Sequence, residues 1–339
     1  MIKLSIIFPI YNVEQYVRAS LESIYKQGLD EEMFEVIIVN DGSTDKSMEV
    51  IADIIQQHQN ITVINQENLS LSVARNNGIA IAKGEYILMP DSDDLLIENS
   101  LPVLLDKAIE TKADIIVADF LGMTSEEIDS FKGVKQSHAE FKEKSNEQLF
   151  LEDLDPNHCY VWRNLYRRSF LEENHIRFIP RIFYQDVPYT HECHLKARKC
   201  IKTSWLLNIY RVRRPNSNTT AFSKKNTRSF SIAIGATWQL RTLEGLSSIQ
   251  LYKLEDDVFA SFSTLIYRII YSVKKRSDRN HMMDFLKAQA PHLNFTHGFR
   301  QKCTTFMFHH MPYLFINVYY IYAQIAYKKW RKLISLLRG

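Results

Sequence analysis

Over the first 120 residues, continuous apolar runs alternate with stretches whose apolar positions recur every three or four residues. That alternation predicts buried parallel strands joined by crossover helices. "LSIIFPI" (4–10) is the first strand. The next segment opens on Asn12, a residue type suited to an N-cap, with Gln15 three positions on; it spaces Val13, Val17, Leu21 and Ile24 along one helical face before Gly28 stops it. "EVIIVND" (35–41) is the second strand, and Ser43 or Thr44 is suited to cap a helix carrying Met48, Ile51 and Ile55 on one face. "ITVINQ", a helix around "SVARNNGIAIAKG", the strand "YILMPD", a helix from about Glu98 to Lys112 and the strand "DIIVADF" continue the order. The predicted fold is α/β: a doubly wound, Rossmann-like, mostly parallel sheet.

In such sheets ligands bind beyond the carboxyl ends of the strands. Those positions hold Tyr11 and Asn12, then Asn40 and Asp41, then Asp91, Ser92 and Asp93, so two strands deliver acid to one rim. Asp91 and Asp93 are two residues apart, which in an extended segment turns both side chains to one side, a spacing that a hard cation such as Mg2+ or Mn2+ can use. Such an ion takes one or two protein carboxylates and fills its other positions with water and phosphate oxygens. Asp41, in "NDGSTD", also has the chemistry of a turn or a helix N-terminus, and Asp45 and Asp94 read as turn or cap residues. No GxGxxG follows the first strand and no GxxxxGK[ST] occurs, which removes the dinucleotide-binding and P-loop readings.

Composition narrows the partners. At 339 residues, a main domain plus an appendage is expected, and 45% hydrophobic with 24% charged residues describes an ordinary folded protein. A net charge of +3, without basic and aromatic residues interleaved in the first two hundred positions, argues against nucleic acid as a partner. Four cysteines with no CxxC pair suit a reducing, cytoplasmic compartment, and "MIKLSIIFPIYNVEQ" reads as a buried strand in place of a signal peptide.

"SIIFPIYN", "VIIVNDGSTD", "ARNNGI", "GEYILMPDSDD" and "YQDVPYT" (184–190), in this order and spacing, resemble glycosyltransferase family 2, of the bacterial capsule and exopolysaccharide type, whose members use the GT-A fold. The resemblance covers about the first 220 residues. It implies that Pro9 to Tyr11 and Asp41 line the pocket for a nucleotide base, with Asp41 accepting from uracil when the donor is a UDP-sugar. It also implies Arg75 near the diphosphate, Asp91 at the ribose and metal shell with Ser92 beside it in the donor-binding set, and Asp93 as the direct ligand of Mg2+ or Mn2+. Two departures stand out: "ENLSLSVARNNGI" carries Leu69, Leu71 and Val73 where the family usually has glycines, and the usual acidic pair at the catalytic position is Gln185 and Asp186.

Moving a sugar from a nucleoside diphosphate to a hydroxyl requires stabilising the departing diphosphate and removing the acceptor's proton. The resemblance implies an inverting reaction with Asp186 as base, in an aromatic setting (Phe183, Tyr184, Tyr189) where partial desolvation favours basicity. A helix start is the other use of an aspartate two residues before Pro188. Nearby, Trp162 and Tyr166 are expected in packing, Arg213 is a candidate for an anionic group, and "HECH" (191–194) offers two histidines without an obvious pair of cysteines to complete a zinc site. A sugar-phosphate nucleotidyltransferase shares the sheet and the carboxylates but opens with a glycine-rich basic loop that "FPIYNVEQY" lacks; a membrane-surface binding module on the same fold is the non-enzymatic alternative.

Residues 1–225 are expected to form the transferase domain, with a nucleotide-binding half (1–120) and an acceptor half (121–225), followed by a mainly helical region at 226–339. Beyond Asp284 there is no acidic residue, but eight Lys/Arg. "MPYLFINVYYIYAQIAY" (311–327) is uncharged and precedes the basic "KKWRKLISLLRG", which suits a helix lying on an anionic membrane surface through 311–338 better than one crossing the bilayer. A buried helical subdomain or a homo-oligomer interface is the other use of these residues. The expectation is a protein peripheral to the inner face of the cell membrane, acting on a glycan or lipid-linked glycan acceptor.

Overall fold

A computed structural model of the chain describes residues 2–156, 159–214 and 224–337, with residue 224 and the stretch from 326 onward described by backbone alone. The elements run β1 (Leu4–Ile10), α1 (Val17–Tyr25), β2 (Phe34–Asn40), a short 3-10 turn (Glu49–Ile51), α2 (Ala52–Gln57), β3 (Ile61–Asn65), α3 (Leu71–Ile81), β4 (Tyr86–Leu88), β5 (Leu95–Leu96) and α4 (Leu101–Thr111). Then follow β6 (Ile115–Met123), α5 (Ser125–Ser130), β7 (Phe141–Lys144), α6 (Asn146–Glu152), β8 (Asn164–Arg167), α7 (Arg168–Glu173), α8 (Asp186–Lys196) and β9 (Cys200–Arg211). The remainder is helical: α9 (Lys224–Gln239), α10 (Ser248–Ser272), α11 (Arg276–Gln289), α12 (Gly298–His310) and α13 (Pro312–Leu337).

The sheet order is β3-β2-β1-β4-β8-β6-β9-β5, with β7 on β9. The four strands from the N-terminal half, β3 to β4, are all parallel, as the apolar runs require. Beyond β4 the sheet becomes mixed, because β8 enters antiparallel between β4 and β6. The pleat sorts β1 into two cores. Ile6, Phe8 and Ile10 pack with Val17, Leu21 and Ile24 of α1 and Leu104 of α4, while Ile7 belongs with Ala74 of α3, Phe170 of α7 and Tyr189 of α8. Helix α3 lies so close to β1 that a Cβ on Gly78 would sit 2.3 Å from Ile7 Cγ2, and one on Gly84 would meet the Ser5 backbone nitrogen at 2.4 Å.

Two expected helix starts are wrong, for one shared reason. Asn12 has φ of 51° and caps nothing of its own, since α1 begins at Val17 after Tyr16. Its Oδ1 accepts instead from the backbone N–H of Thr44 (2.8 Å) and Asp45 (3.4 Å). Ser43 and Thr44 likewise start no helix; the next helical residues begin at Glu49. Ser47 Oγ accepts from Val13 N–H (2.8 Å) and Asp45 Oδ2 from Glu14 N–H (3.0 Å). The capping chemistry is real but spent between the two loops, which stitches the ends of β1 and β2 together.

The chain divides into two compact units: Met1–Leu154, His158–Arg181 and Tyr189–Ser217 form the first, and Asp155–Asn157, Ile182–Pro188 and Asn218–Gly339 the second. In the second unit, Arg279 ties α11 to α13 by donating to Asn317 Oδ1 from Nε (3.0 Å) and Nη2 (2.8 Å), with its guanidinium 3.7 Å from the Tyr320 ring centroid. Phe315, Ile316 and Ala323 are buried on the inner side of α13, while Leu314, Val318, Ile321, Tyr322 and Ile325 are exposed. Among the described residues, no helix is long and apolar enough to cross a membrane.

Candidate active site

The parallel register sets the ends of β1 and β2 side by side, with Asp41 N–H donating to Ile10 O at 2.9 Å, and β4 runs parallel on the other side of β1. The rim expected from the sequence is therefore real. Pro9 is buried in β1 and Tyr11 is 45% exposed just past it. Asp41 is buried and already accepts three hydrogen bonds, from Gln66 Nε2 (2.6 Å) and Leu69 N–H (2.8 Å) on Oδ1 and from Ser70 N–H (2.9 Å) on Oδ2. Its carboxylate thus fixes the 66–70 loop and the entry to α3, where Ser70 sits at φ 98°.

After β4 the chain turns through Asp91, Ser92, Asp93 and Asp94, closed by Asp94 N–H to Asp91 O at 3.2 Å. The carboxylates of Asp91, Asp93 and Asp94 each offer an oxygen within 4.8 Å of the others, the one such metal-capable group among the described residues. Ser92 is buried within the same turn. Arg75, wholly inaccessible to solvent, donates from Nη2 to Asp91 Oδ1 at 2.7 Å and stands 5.3 Å from the Phe178 ring centroid. It meets the turn as the fixed counter-ion of Asp91.

Asp94, expected from the sequence only to serve the turn, is the most buried of the three, and its Oδ2 has no hydrogen-bond partner. Burial first, and then the charges of Asp93 and Asp91, push its carboxyl well above the usual carboxylate range. The fold reaches this turn from a second direction. β5 pairs antiparallel with β9, Leu95 opposite Ile209, so the end of β9 lies beside the aspartates. Arg211 N–H donates to Asp94 Oδ1 (2.7 Å), Arg211 Nε to Asp93 O (3.0 Å) and Arg211 Nη1 to Ser125 Oγ (3.0 Å). Arg214 Nε pairs with Asp93 Oδ2 at 3.0 Å. Arg213, the candidate from the sequence, is exposed at φ 58°; it is its neighbour that reaches the acid.

Tyr210, one residue before Arg211, stacks on Trp162 (centroids 5.3 Å apart), and Trp162 stacks on Tyr160 (4.7 Å). Its phenol is pushed up to about 12 by burial, then by Tyr160 and the three aspartates, which marks this aromatic stack as a neighbour of the acidic turn. Trp162 and Tyr166 are both buried, as packing residues should be.

The family pattern described as glycosyl transferase family 2 matches residues 5–174, half of the chain. The chain belongs to glycosyl transferase family 2. Relatives of this family-2 chain include the uncharacterized glycosyltransferase EpsJ of Bacillus subtilis (strain 168), 34% identical over 217 residues that cover 63% of this chain and 62% of that protein, so the match spans less than two thirds of the relative. Among solved structures, S. aureus TarS 1-349 in complex with UDP-GlcNAc superposes with a TM-score of 0.66 at 21% identity, over 85% of this chain and 84% of that one. The mannosyltransferase PcManGT from Pyrobaculum calidifontis, in complex with GDP-Man and Mn2+, gives a TM-score of 0.53 at 13% identity, over 93% and 85%. These likenesses share the GT-A arrangement of sheet and flanking helices.

Asp186, which lies beyond the residues the family pattern matches, is the first residue of α8 and partly exposed, so the helix-start reading holds. It belongs to the second unit with Ile182–Pro188. Gln185 beside it is buried, and Tyr184, at φ 59°, stacks on Phe230 at 4.4 Å and hydrogen-bonds Arg268. Further along α8, His191, Cys193 and His194 are buried and form no metal-capable group among the described residues, which removes the zinc reading.

Proposed function

We propose that the chain is an inverting, metal-assisted glycosyltransferase that moves a sugar from a UDP-sugar to a hydroxyl of a glycan or lipid-linked glycan acceptor. The observation that carries this reading is the convergence of Asp91, Asp93 and Asp94 at the rim of a family-2 sheet, with Arg75 and Arg214 paired to two of them. All-oxygen ligands and a buried, unpartnered Oδ2 on Asp94 fit a hard divalent cation, Mg2+ or Mn2+. Asp93 and Asp91 would hold it, and the bound ion supplies charge neutralisation for the departing diphosphate.

The chain's own residues do the rest. Arg75 holds Asp91 in one orientation and thereby acts through it on the diphosphate side. Pro9, Tyr11 and Ser92 form the wall against the nucleoside. Asp41 has three of its roughly four acceptor directions filled, which leaves one for the imide N–H of uracil and none for a second contact. Asp186 takes the proton of the acceptor hydroxyl as that oxygen attacks the anomeric carbon from the face opposite the diphosphate, inverting the configuration. UDP is favoured as the nucleotide because TarS, the neighbour with the higher TM-score of the two, is solved with UDP-GlcNAc. Mn2+ in PcManGT supports the ion class.

The acceptor reading extends to the membrane. A helix apolar on both faces is not stable against water on one of them, and α13 exposes Leu314, Val318, Ile321 and Ile325 opposite its buried side. The acid-free, basic sequence that follows suits an anionic surface, which would keep the protein at the inner face of the membrane. Self-association through the same helix is the competing use.

The test is thermal stabilisation by nucleotide sugars with Mn2+, using Asp93→Ala and Asp186→Asn. UDP-sugars should raise the wild-type transition and leave Asp93→Ala unmoved. Asp186→Asn should keep the shift but lose transfer by about 100-fold or more. Slow, metal-dependent release of UDP from the sugar donor would separate a working transferase from a binding module. A shift that persists in Asp93→Ala would overturn the metal assignment.

A further inference from the structure

We infer that Arg214 is an internal competitor for the metal-binding carboxylate and a carrier of charge to the diphosphate: it holds Asp93 until a cation and a nucleoside diphosphate arrive together. The inference rests on the reading of Asp93 as a metal ligand given above.

Three positive side chains approach the acidic turn, and they are not equivalent. Arg75 is inaccessible to solvent and fixed on Asp91. Arg211 is committed through its backbone N–H to Asp94 and through its guanidinium to Asp93 O and Ser125 Oγ. Arg214 lies beyond the last residue of β9, keeps 19% of its side chain exposed, and engages the carboxylate itself, Nε to Oδ2 at 3.0 Å. The residue before it, Arg213, has φ of 58°, a sparsely populated conformation for a side chain of that size. The Tyr16 ring carries the guanidinium of Arg211 at 4.7 Å and that of Arg214 at 5.6 Å, a flat surface along which Arg214 can slide without losing its cation–π contact.

A divalent cation on Asp93 and a guanidinium on the same carboxylate repel at close range, so the ion can bind fully only if Arg214 leaves. Leaving into water gains little. Leaving toward a diphosphate gains paired, charge-assisted hydrogen bonds to phosphate oxygens. The cation and the diphosphate therefore help one another through one side chain, a positive coupling between two ligands at neighbouring subsites. Neutralising position 214 should have opposite effects on the two: the cation alone binds more tightly, and the nucleotide binds more weakly. A residue with only a structural role would move both in the same direction or neither.

The experiment measures Mn2+ binding alone, by the free-ion electron paramagnetic resonance signal, and then UDP binding at saturating Mn2+, by calorimetry. The proteins are the wild type, Arg214→Gln, Arg214→Lys and Asp93→Asn. Arg214→Gln should tighten Mn2+ by about threefold to tenfold and weaken UDP by about tenfold. Arg214→Lys, which keeps the charge, should bind Mn2+ as weakly as the wild type. Unchanged or weaker Mn2+ binding by Arg214→Gln, with Asp93→Asn abolishing binding, overturns the competitor role alone. Mn2+ binding that survives in Asp93→Asn overturns the metal site and the competitor role together.

Discussion

Asp94 shows how much a single carboxylate can change in meaning between sequence and structure. In the string "DSDD" nothing separates it from a turn residue, and Asp91 and Asp93 are legible because they alternate on an extended segment. What the string cannot show is that β5 and β9 bury Asp94 from above and give its Oδ1 the Arg211 N–H while leaving Oδ2 without a partner. The same holds for Arg214, visible only as one of several arginines in "RVRR" until the antiparallel β5–β9 pair brings that end of the chain to the turn. Asp94→Asn keeps the acceptor for Arg211 and turns the lone oxygen into a donor facing two carboxylates. With a chelator present at pH 7, its unfolding transition should rise by a few degrees, about 1 kcal/mol, while Mn2+ binding weakens. The sign follows from the raised folded-state value: stability from protonated Asp94 is complete below the unfolded value of about 4 and is lost as pH climbs through the raised one. The advantage of the variant should therefore grow from about pH 4 upward in a pH series of thermal melts; a variant less stable than wild type at pH 7 would contradict the electrostatic account.

At the scale of elements, the parallel strands and α3 and α4 follow the apolar pattern closely, because burial on both faces of a sheet leaves few other arrangements for "LSIIFPI" or "EVIIVND". The starts of α1 and α2 do not, because Asn12 and Ser43–Asp45 satisfy each other across loops, an option local sequence cannot weigh against self-capping. The part of the sheet beyond Phe120 could not be read from the apolar pattern, since β7 and β8 are four-residue strands whose pairing is wholly non-local. One close approach of backbone to backbone between elements is at Gly84, where an added Cβ would sit 2.4 Å from the Ser5 nitrogen. The Gly84 N–H donates to Ser5 Oγ (2.8 Å), Ser5 Oγ donates to Glu35 Oε1 (2.6 Å), and Lys83 N–H donates to the same oxygen (2.6 Å). A methyl group there meets backbone atoms that cannot retreat. Gly84→Ala should cost about 2–3 kcal/mol in urea unfolding, while Gly122→Ala, whose added Cβ would only reach Val212 Cγ1 at 3.5 Å, should be close to neutral. Equal effects of the two would remove close approach as the cause.

For the molecule as a whole, the helical C-terminal unit carries an apolar stripe beside the basic end of the sequence. The exposed side of α13 repeats at Leu314, Val318, Ile321 and Ile325, a spacing that serves a bilayer surface or a second copy equally well in shape, and only the basic sequence after it favours lipid. The lysines and arginines from 328 onward, on which that preference leans, lie outside the residues whose side chains are described. Flotation with anionic phospholipid vesicles should carry the wild type and be reversed by salt, whereas Val318→Glu with Ile321→Glu should stay in solution with an unchanged melting transition. A wild type that ignores vesicles but sediments as a dimer would assign the stripe to self-association. The acidic turn has a consequence of its own for how the protein is made. Asp94 waits for a backbone amide 117 residues further along the chain. A fragment of the chain that stops short of Arg211 therefore lacks the donor that closes the acidic turn, and the three aspartates wait on the last strand of the sheet before the turn is complete.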